Sequence, residues 1–338
     1  MPVLYRTYRP TKWSEVMGQD HIVEPLKDAI TNERVAHAYL FSGSRGTGKT
    51  TVARILAKSL GTADDDIYEI DAASNRGIDD IRALREAVSV LPFTSKFKVY
   101  IIDEVHMLSK DAWNALLKTL EEPPKHVIFI LATTELDKVP DTIISRCQTF
   151  TFRKPGREVL RKQIALVAKK EGYDLDSGAA DLLALLGDGS FRDGLGMLEK
   201  AISAASSKKL TREEVESLTG APRAALVNEF LSALLAKNAD AALKSVSEAE
   251  KAGVSISTFV TLTLEKARFI LLVQHSKSSE PTVKERVSPD DWEFIGAQST
   301  KKLLTPAMLV ALLEAAEGVQ RAHIEALPLE LAVVKICG

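Results

Sequence analysis

Residues 43–50 read Gly43-Ser44-Arg45-Gly46-Thr47-Gly48-Lys49-Thr50 and match the pattern G-x-x-x-x-G-K-[ST] at every fixed position. An apolar run of strand length, Ala38–Ser42, comes directly before them, and apolar side chains at helical spacing follow. A glycine-rich turn between a strand and a helix places backbone N–H groups around a phosphate, and the helix dipole adds to the attraction. The stretch therefore predicts a nucleotide-binding P-loop within an α/β fold.

Two side chains of this loop have specific tasks in the P-loop pattern. Lys49 is expected to reach the β- and γ-phosphates of ATP, and the Thr50 hydroxyl is expected to coordinate Mg²⁺. The predicted nucleotide-binding residues of this segment are Gly43, Ser44, Arg45, Gly46, Thr47, Gly48, Lys49, Thr50 and Thr51. The alternative, a glycine-rich loop that fits the pattern by chance, is disfavoured because both the strand and the helix stand where the motif needs them.

A second motif, Val99-Tyr100-Ile101-Ile102-Asp103-Glu104, is an apolar strand that ends in two carboxylates. Asp103 is predicted to bind Mg²⁺, directly or through water, and Glu104 to polarise the attacking water as a general base. Adjacent acids at a strand end are common on protein surfaces, but these follow a complete P-loop. A glutamate beside the magnesium-binding aspartate favours hydrolysis over phosphoryl transfer to a small molecule.

Apolar runs of strand length alternate with helix-length segments as far as about Phe152. The runs are Ala38–Ser42, Ile67–Asp71, Val99–Asp103, Val127–Thr133 and Gln148–Phe152. Short apolar runs separated by helices predict a parallel five-stranded sheet with crossover helices. Helix Ser109–Glu121 is one such crossover, with Ser109 as its predicted N-cap.

Helical signals dominate the rest of the chain. A capping box is predicted at Thr211-x-x-Glu214, and a cap before a proline at Thr305–Pro306. Ser276–Pro289, rich in Ser, Lys and Glu, is predicted to be an exposed loop. Three domains follow from this pattern: an α/β domain over residues 1–155, a small helical domain over 156–220 and an all-α domain over 221–338.

The composition is that of an ordinary globular chain of 338 residues, 45 % hydrophobic and 27 % charged, with a formal net charge of −2. Basic and acidic side chains balance both in residues 1–155 and in the remainder, so bulk charge does not indicate a polybasic nucleic-acid binder. No apolar run is long enough for a membrane span, and the N-terminus lacks the apolar core of a signal peptide. We therefore expect a soluble, cytoplasmic protein.

Three further positions are weaker candidates, each with a plain structural alternative. Thr134 follows the fourth predicted strand, where its hydroxyl could orient the attacking water or simply satisfy a backbone group. Arg146 precedes the fifth strand and is, on spacing alone, as consistent with a surface salt bridge as with catalysis. Arg192 lies in the first turn of a predicted helix, where a cation is disfavoured unless an anion is near. His106 is predicted to be a packing or hydrogen-bonding residue, and Cys147 a buried strand residue.

Several motifs together resemble the gamma/tau subunits of bacterial DNA polymerase III, the AAA+ ATPases of the clamp loader. The narrowest signals are Ile102-Asp103-Glu104-Val105-His106-Met107-Leu108, Ala115–Pro124 and Ser145-Arg146-Cys147. Others are Tyr8-Arg9-Pro10, Val16-x-Gly18-Gln19, His37–Phe41 and Asp71–Ser74. The resemblance is strong as far as Gly220 and looser beyond. It implies an AAA+ P-loop domain, a small helical lid domain and an all-α collar domain.

The resemblance also implies a role for each weaker candidate. Thr134 corresponds to the sensor-1 position, Arg192 to the sensor-2 arginine that reads the γ-phosphate in the same chain, and Arg146 to the arginine finger acting on a neighbouring subunit's ATP. The family's adenine pocket corresponds to Tyr8, Arg9, Pro10, Val16 and Gly18.

By the same resemblance, the chain is expected to be an ATPase motor subunit that loads the sliding clamp onto primed DNA during replication. Its expected partners are the other clamp-loader subunits in a pentameric ring, the sliding clamp and primer–template DNA, with no membrane. Arg76 and Arg82 flank a segment that the family turns toward DNA, although both could instead pair with acids at helical spacing. Two other interpretations stay open: an ATP-binding subunit without turnover, and another AAA+ motor that remodels DNA, such as a branch-migration translocase.

The chain departs from the family in two respects. The four zinc-binding cysteines usual between the P-loop helix and the second strand are missing, since only Gly61–Asp66 joins Leu60 to Ile67, so no zinc is expected. The two cysteines of the whole chain fall short of a typical zinc site in any case. The chain also ends where the family's collar ends. The extension that binds helicase and polymerase is therefore expected to be missing, as a natural short form or by truncation.

Overall fold

The computed structural model describes residues 3–75, 77–284, 287 and 289–338. Its internal contacts divide the chain into two units. The first contains the residues up to Gln163 together with Gly187–Gly196, and the second contains Ile164–Leu186 and Met197–Gly338. The three-domain division at residues 155 and 220 stays a prediction.

A parallel five-stranded sheet forms the centre of the first unit. Its strands are β1 (Ala38–Ser42), β2 (Ile67–Asp71), β3 (Lys98–Asp103), β4 (Val127–Thr133) and β5 (Gln148–Thr151), in the spatial order β2-β3-β4-β1-β5. β1 and β4 are buried over their whole length, as central parallel strands covered on both faces must be, whereas the edge strands β2 and β5 are largely exposed. The five predicted strands are confirmed, with a shift of one residue at the start of β3 and at the end of β5.

Two hydrophobic cores lie on opposite faces of this sheet. The helices of the first unit are α1 (Leu4–Thr7), α2 (Asp20–Thr31), α3 (Lys49–Ser59), α4 (Ile78–Val88), α5 (Lys110–Glu121) and α6 (Asp141–Ile144), with 3-10 turns at Trp13–Glu15, Asp64–Asp66, Val105–Met107 and Leu136–Lys138. Because side chains alternate along a strand, Leu40 of β1 packs with α4 and α5, while its neighbours Tyr39 and Phe41 pack with α2 and α3. The predicted cap of α5 is confirmed, since Ser109 Oγ accepts the N–H of Ala112 at 3.2 Å.

The carboxylate of Asp66 organises the loop that leads into β3. It accepts the backbone N–H groups of Phe93 at 2.6 Å and of Thr94 and Ser95 at 3.0 Å each. Burial would raise the pKa of Asp66, but these hydrogen bonds outweigh burial and hold the pKa at about 2. The loop is therefore anchored through its backbone, although the Phe93 side chain is 87 % exposed.

Helices make up the second unit apart from one pair of very short strands. Its further helices are α8 (Ser177–Leu186), α10 (Arg212–Thr219), α11 (Ala224–Leu235), α12 (Ala239–Lys251), α13 (Ile256–His275), α14 (Glu280–Lys284), α15 (Pro289–Lys301), α16 (Pro306–Val319) and α17 (Leu327–Cys337). Helices α7 (Arg157–Lys170) and α9 (Phe191–Ala204) contribute residues to both units. The strands β6 (Asp174–Leu175) and β7 (Lys209–Leu210) pair in parallel. Both predicted caps are confirmed, because Thr211 and Glu214 form the reciprocal capping box and Thr305 Oγ1 accepts the N–H of Met308.

The prediction that Ser276–Pro289 is an exposed loop is wrong for the part of it that the structure describes. Lys277–Ser279 forms a 3-10 turn and α14 follows it directly. The reason is Val283, which is 2 % exposed and draws a turn of helix against the bundle despite its polar neighbours.

A network of buried charged side chains joins four helices of the second unit; we call it the ion network. Asp291 of α15 accepts from Arg212 Nη1 of α10 at 2.6 Å and from Lys266 Nζ of α13 at 2.5 Å. Arg212 Nε also bonds Glu216 at 2.9 Å, and Lys266 bonds Asn228 of α11 at 2.6 Å. Burial would lower the pKa of Arg212, but Asp291 and Glu216 outweigh burial and raise it. Burial outweighs Asp291 for Lys266 and lowers its pKa. Both cations of the network nevertheless have a carboxylate partner within the unit.

Helices α16 and α17 pack against each other and also leave apolar side chains exposed. Val310 and Leu313 of α16, and Leu331 and Val334 of α17, are each more than half exposed. In each helix the two side chains are three positions apart and so lie on one face, and exposed apolar patches are typical of surfaces that contact other proteins. Within the described residues, no helix is both long and apolar enough to cross a membrane.

Candidate nucleotide-binding site

The P-loop turns tightly between β1 and α3. Gly43 and Gly46 have φ angles of +139° and +75°, which side-chain-bearing residues rarely adopt. A Cβ atom on Gly43 would lie 2.5 Å from the carbonyl oxygen of Phe152, and one on Gly46 would collide with Ser190 Oγ. The loop therefore needs glycine at both positions for its backbone to approach its neighbours.

Lys49 is the buried cation of this loop. Its side chain is 6 % exposed, and Nζ donates to the carbonyl oxygens of Gly43 at 2.7 Å and Ser44 at 2.9 Å. Burial lowers the pKa of Lys49, and the nearby carboxylates of Glu104 and Asp103 oppose this in part. The ammonium group is thus held by neutral carbonyl acceptors inside the loop.

The sheet order brings the acidic strand end to the P-loop. β3 and β1 flank β4, so their carboxyl ends meet at the same edge of the sheet. Thr50 Oγ1 donates to Asp103 Oδ2 at 2.7 Å, and Asp103 Oδ1 accepts the N–H of Glu104 at 3.0 Å. The two predicted magnesium ligands therefore lie in contact.

Glu104 stands in an unusual backbone conformation directly after β3. Its φ of +48° and ψ of +44° lie in the left-handed region, which turns the chain sharply at the strand end. Thr134, after β4, donates to Glu104 Oε2 through its hydroxyl at 2.9 Å and its backbone N–H at 3.3 Å. The structure thus brings the predicted general base and the predicted sensor-1 residue together.

Arg192 reaches the same site from the start of α9. The N–H of Phe191 donates to the carbonyl oxygen of Gly46 at 3.0 Å, and Ser190 Oγ accepts the N–H of Asp193 at 3.2 Å. The Arg192 guanidinium lies 5.4 Å from the ring centre of Tyr5, within the range of a cation–π contact. These contacts all lie within the first unit.

A cavity of about 680 Å³ collects most of the predicted residues. Those that line it are Tyr8, Arg9, Pro10, Val16, Arg45, Gly46, Thr47, Gly48, Lys49, Thr50, Thr51, Asp103, Glu104 and Arg192. Gly43, Ser44 and Thr134 lie directly behind this lining, through their bonds to Lys49 and Glu104. Gly18 packs against Val159 instead.

Some residues that line the cavity were not predicted from the sequence. Arg54 and Glu69 line it as an ion pair of 2.5 Å between the P-loop helix and β2, and Tyr5 lines it beside Arg192. Arg9 bonds Thr51 Oγ1 at 3.1 Å, and burial lowers the pKa of Arg9. Tyr5 lies about one helical turn before Tyr8 and Arg9, and this spacing could have added Tyr5 to the predicted site.

Arg146 lies apart from the cavity. Its Nη2 pairs with Glu121 Oε1 at 2.9 Å, and its Nη1 donates to the carbonyl oxygen of Thr142 at 2.7 Å. The side chain is 35 % exposed. Within one chain Arg146 is thus a surface salt-bridge residue, and its role toward a neighbour stays a prediction.

Two other predictions concern residues near this unit's surface. Cys147 precedes β5 instead of lying in it, so the strand assignment is wrong; the thiol is half-buried, and burial raises its pKa to about 11. Of the two arginines considered for DNA contact, Arg76 lies outside the described residues, and Arg82 is exposed on α4.

Two family models match the sequence of this chain. The model described as DNA polymerase III, delta subunit, matches residues 18–75 and 61–156. The model described as DNA polymerase III subunits gamma and tau domain III matches residues 210–338. Together they cover the P-loop sheet and the C-terminal helices.

Curated relatives extend this similarity over the chain. The DNA polymerase III subunit tau of Bacillus subtilis (strain 168) is 37 % identical, over 99 % of this chain and 63 % of the relative. The gamma/tau subunit of Mycoplasma pneumoniae is 45 % identical, over 63 % of this chain and 34 % of its own length. Subunit tau of Escherichia coli (strain K12) is 37 % identical, over 82 % and 46 %. The chain thus spans less than two thirds of the length of these relatives.

A solved structure shares the fold. The Holliday junction branch migration motor RuvB of Thermotoga maritima superposes with a TM-score of 0.54, covering 68 % of this chain and 79 % of its own. The sequence identity is 20 %, so the likeness concerns the fold alone.

Proposed function

The chain belongs to the gamma/tau family of DNA polymerase III subunits, and we propose that it is an ATP-hydrolysing motor subunit of a clamp loader. The observation that carries the proposal is the 2.7 Å hydrogen bond from Thr50 Oγ1 to Asp103 Oδ2, which puts the P-loop and the acidic strand end in one cavity. Glu104 lines the same cavity beside them. ATP binding and hydrolysis there would drive the loading of a sliding clamp onto primed DNA during replication.

Nucleotide binding is assigned to the loop and to the N-terminal residues around the cavity. Lys49 Nζ would exchange its bonds to two neutral carbonyls for bonds to phosphate oxygens, which are stronger because they are charge-assisted. Arg192 is the second cation facing the γ-phosphate. The base of the nucleotide is assigned to the side of the cavity lined by Tyr8, Pro10 and Val16, with Arg9 held by its bond to Thr51.

Thr50 and Asp103 fit a magnesium ion, because hydroxyl and carboxylate oxygens in contact are the hard donors that Mg²⁺ accepts alongside water and phosphate oxygens. When bound, Mg²⁺ would neutralise negative charge on the phosphates. Glu104 then takes the proton of a water that attacks the γ-phosphorus, and ADP and phosphate are the products. The two bonds from Thr134 to Oε2 fix the direction of that carboxylate.

Arg146 is assigned to the ATP of a neighbouring subunit. Its ion pair with Glu121 is on the surface, and such pairs contribute only about 0–1 kcal/mol, so a neighbour's phosphates could recruit the guanidinium. The exposed apolar side chains of α16 and α17 support the C-terminal helices as the surface that joins subunits of a five-membered ring. We place this assembly in the cytoplasm, with the sliding clamp and primer–template DNA as its partners.

The decisive experiment measures ATP hydrolysis by the loader assembled from this chain and its cognate subunits. We expect strong stimulation by the clamp together with primed DNA, and little by blunt duplex alone. Equal stimulation by any duplex would instead favour a DNA-remodelling motor of the kind whose fold the chain shares. A loader whose hydrolysis does not change when this chain carries Glu104→Gln would indicate a subunit without turnover.

The assignment of Arg146 has its own test in mixed assemblies. Arg146→Ala should leave ATP binding to the same chain nearly unchanged and slow hydrolysis only in the assembled loader, by a factor on the order of 10³. A Glu104→Gln chain and an Arg146→Ala chain should complement each other in one neighbouring order and not in the reverse. If Arg146→Ala slows the single chain and the loader by the same factor, the arginine acts within its own chain and the assignment is wrong.

A further inference from the structure

His106 is a buried imidazole beside the proposed general base, and the mechanism above does not use it. Its side chain is 6 % exposed. Nδ1 lies 3.0 Å from Thr133 Oγ1 and 3.4 Å from Glu104 Oε2, while Nε2 lies 3.2 Å from Glu135 Oε1. The ring stands in the 3-10 turn directly after Glu104 and reaches across to the end of β4. It therefore connects the two strand ends that meet at the site.

The partners of the ring allow a closed pattern of hydrogen bonds in which the ring proton lies on Nε2. Thr133 Oγ1 accepts the backbone N–H of Glu135 at 3.0 Å, so the hydroxyl proton of Thr133 can be donated to His106 Nδ1. A neutral imidazole whose Nδ1 accepts carries its proton on Nε2, where Glu135 Oε1 receives it. Glu135 Oε2 in turn pairs with Lys138 at 2.7 Å. The bonds close a circuit through Glu135, Thr133 and His106, which we call the histidine circuit.

The histidine circuit bears directly on the geometry of the general base. Thr134 lies between Thr133 and Glu135, so fixing those two residues also fixes the hydroxyl and N–H that Thr134 donates to Glu104 Oε2. The ring also lies against this carboxylate, with Nδ1 3.4 Å from Oε2. The bonds from Thr134 and the adjacent ring together limit the positions that the Glu104 carboxylate can take.

We infer that His106 is a positioning residue for ATP hydrolysis: through the histidine circuit it aligns Thr134 with Glu104, without itself touching the nucleotide. The inference rests on the proposed role of Glu104 as general base. It predicts that loss of the circuit slows the chemical step and leaves nucleotide binding intact, because neither His106 nor Thr133 lines the cavity.

The test compares His106→Asn, His106→Gln and His106→Leu in the full chain within the assembled loader. Asparagine keeps an acceptor near the Nδ1 position for Thr133, glutamine keeps a donor near the Nε2 position for Glu135, and leucine keeps neither. We expect kcat to fall about tenfold for leucine and less for the two amides, with the Kd for ATP changed less than twofold. His126→Leu is the matched control, since that ring is also partly buried and bonds only a backbone carbonyl, Val88, among the contacts described, at 3.1 Å. Its kcat should equal that of the wild type.

A spectroscopic measurement tests, independently of activity, whether the hydrogen bonds of the histidine circuit are formed. The ring ¹⁵N shifts of His106, assigned by comparison with His106→Gln, should show the neutral Nε2–H form in the wild-type chain. In Glu135→Ala, which removes the acceptor of that proton, the shifts should move toward a mixture of the two neutral forms. A wild-type ring protonated on Nδ1 would overturn the inference.

The kinetic outcomes separate this inference from the function on which it rests. Wild-type kcat in His106→Leu, or a loss of ATP affinity equal to the loss in kcat, contradicts the positioning role while the ATPase assignment stands. A wild-type loader that hydrolyses no ATP with clamp and primed DNA contradicts the proposed function itself, and the catalytic role of His106 with it.

Discussion

Two buried clusters of charge, one in each unit, differ in the partners of their cations. In the ion network of the second unit, Arg212 and Lys266 pair with the carboxylates of Glu216 and Asp291. In the first unit, Lys49 donates to two backbone carbonyls, and the loop that holds it lines a cavity of about 680 Å³. A cation whose neighbours are carboxylates is already neutralised, whereas a cation held by carbonyls gains when a phosphate replaces them. The charge of the partners, and not burial alone, thus separates the cation that we propose binds phosphate from the cations of the ion network.

The largest expected effect is on hydrolysis at the first cluster. Glu104→Gln keeps the size of the side chain and an acceptor for Thr134 but cannot take a proton from water. We expect kcat in the assembled loader to fall by a factor on the order of 10³, with the ATP affinity and the free energy of unfolding nearly unchanged. Parallel losses of kcat and ATP affinity would mean that Glu104 contributes to binding.

Loss of a carboxylate from the ion network should lower stability and leave ATP binding unchanged. Asp291→Ala leaves two buried cations without their shared carboxylate, so the free energy of unfolding should fall by about 3–5 kcal/mol in urea titrations. ATP affinity, measured under conditions where the variant is folded, should stay that of the wild type. Glu314→Ala is the matched control, because its pair with Lys335 is more than half exposed on both sides and should contribute about 0–1 kcal/mol. Equal losses in the two variants would contradict the structural role assigned to the network.

Removal of the Lys49 side chain should weaken ATP binding and leave stability nearly unchanged. Lys49→Ala should weaken ATP binding by about 100-fold in calorimetry, because charge-assisted bonds to phosphate contribute roughly 1.5–3 kcal/mol each. Its free energy of unfolding without nucleotide should change little, since the carbonyls that Lys49 leaves belong to a solvent-accessible loop. Lys58→Ala, on the same helix but paired with the exposed Asp64, controls for the loss of a lysine from α3. Wild-type ATP affinity in Lys49→Ala would remove the basis of the P-loop assignment.

Asp66 is an intermediate case and gives the smallest expected effect. Like Lys49 it is held by backbone groups, but it lines no part of the cavity and its N–H partners already satisfy it. Its pKa of about 2 lies below the value of roughly 3.9 in an unfolded chain, so its stabilising contribution is present above the unfolded value and is lost as the pH falls from about 5 to 2.

The corresponding variant is Asp66→Asn. We expect its urea midpoint to be lower than that of the wild type at pH 7, and the difference to shrink as the pH approaches 3. Midpoints that run parallel over this range would mean that the carboxylate charge of Asp66 contributes nothing to stability.

The features that the sequence predicted correctly are those encoded by neighbouring residues. The strands β1, β2 and β4, the caps at Ser109, Thr211 and Thr305, and the P-loop itself each depend on a pattern within a few positions. The approach of Asp103 to Thr50 was also predictable, because the motifs assigned both residues to Mg²⁺ and parallel strands present their carboxyl ends at one edge of the sheet; the order of the strands was not predicted.

The features it missed depend on contacts between distant positions or on single residues. No local pattern connects His106 with Glu135, or Tyr5 with Arg192, because each pair meets only after the strands and helices have packed. The short strands β6 and β7 are too brief for a periodic signal. In α14 the burial of one valine stabilises a helical turn although the neighbouring residues are polar. The average composition of the segment does not reveal the effect of this single residue.

The position of β1 in the sheet determines when this part of the molecule unfolds locally. β1 is hydrogen-bonded on both sides and buried throughout, whereas β2 and β5 are exposed edges, so native-state amide exchange should be slowest in the central strands and begin at the edges. The P-loop thus follows a central strand, which should unfold last, whereas Arg146 precedes the edge strand β5, which should unfold early. On warming, the nucleotide binding proposed for the P-loop should therefore be lost after the action on a neighbour's nucleotide that is proposed for Arg146.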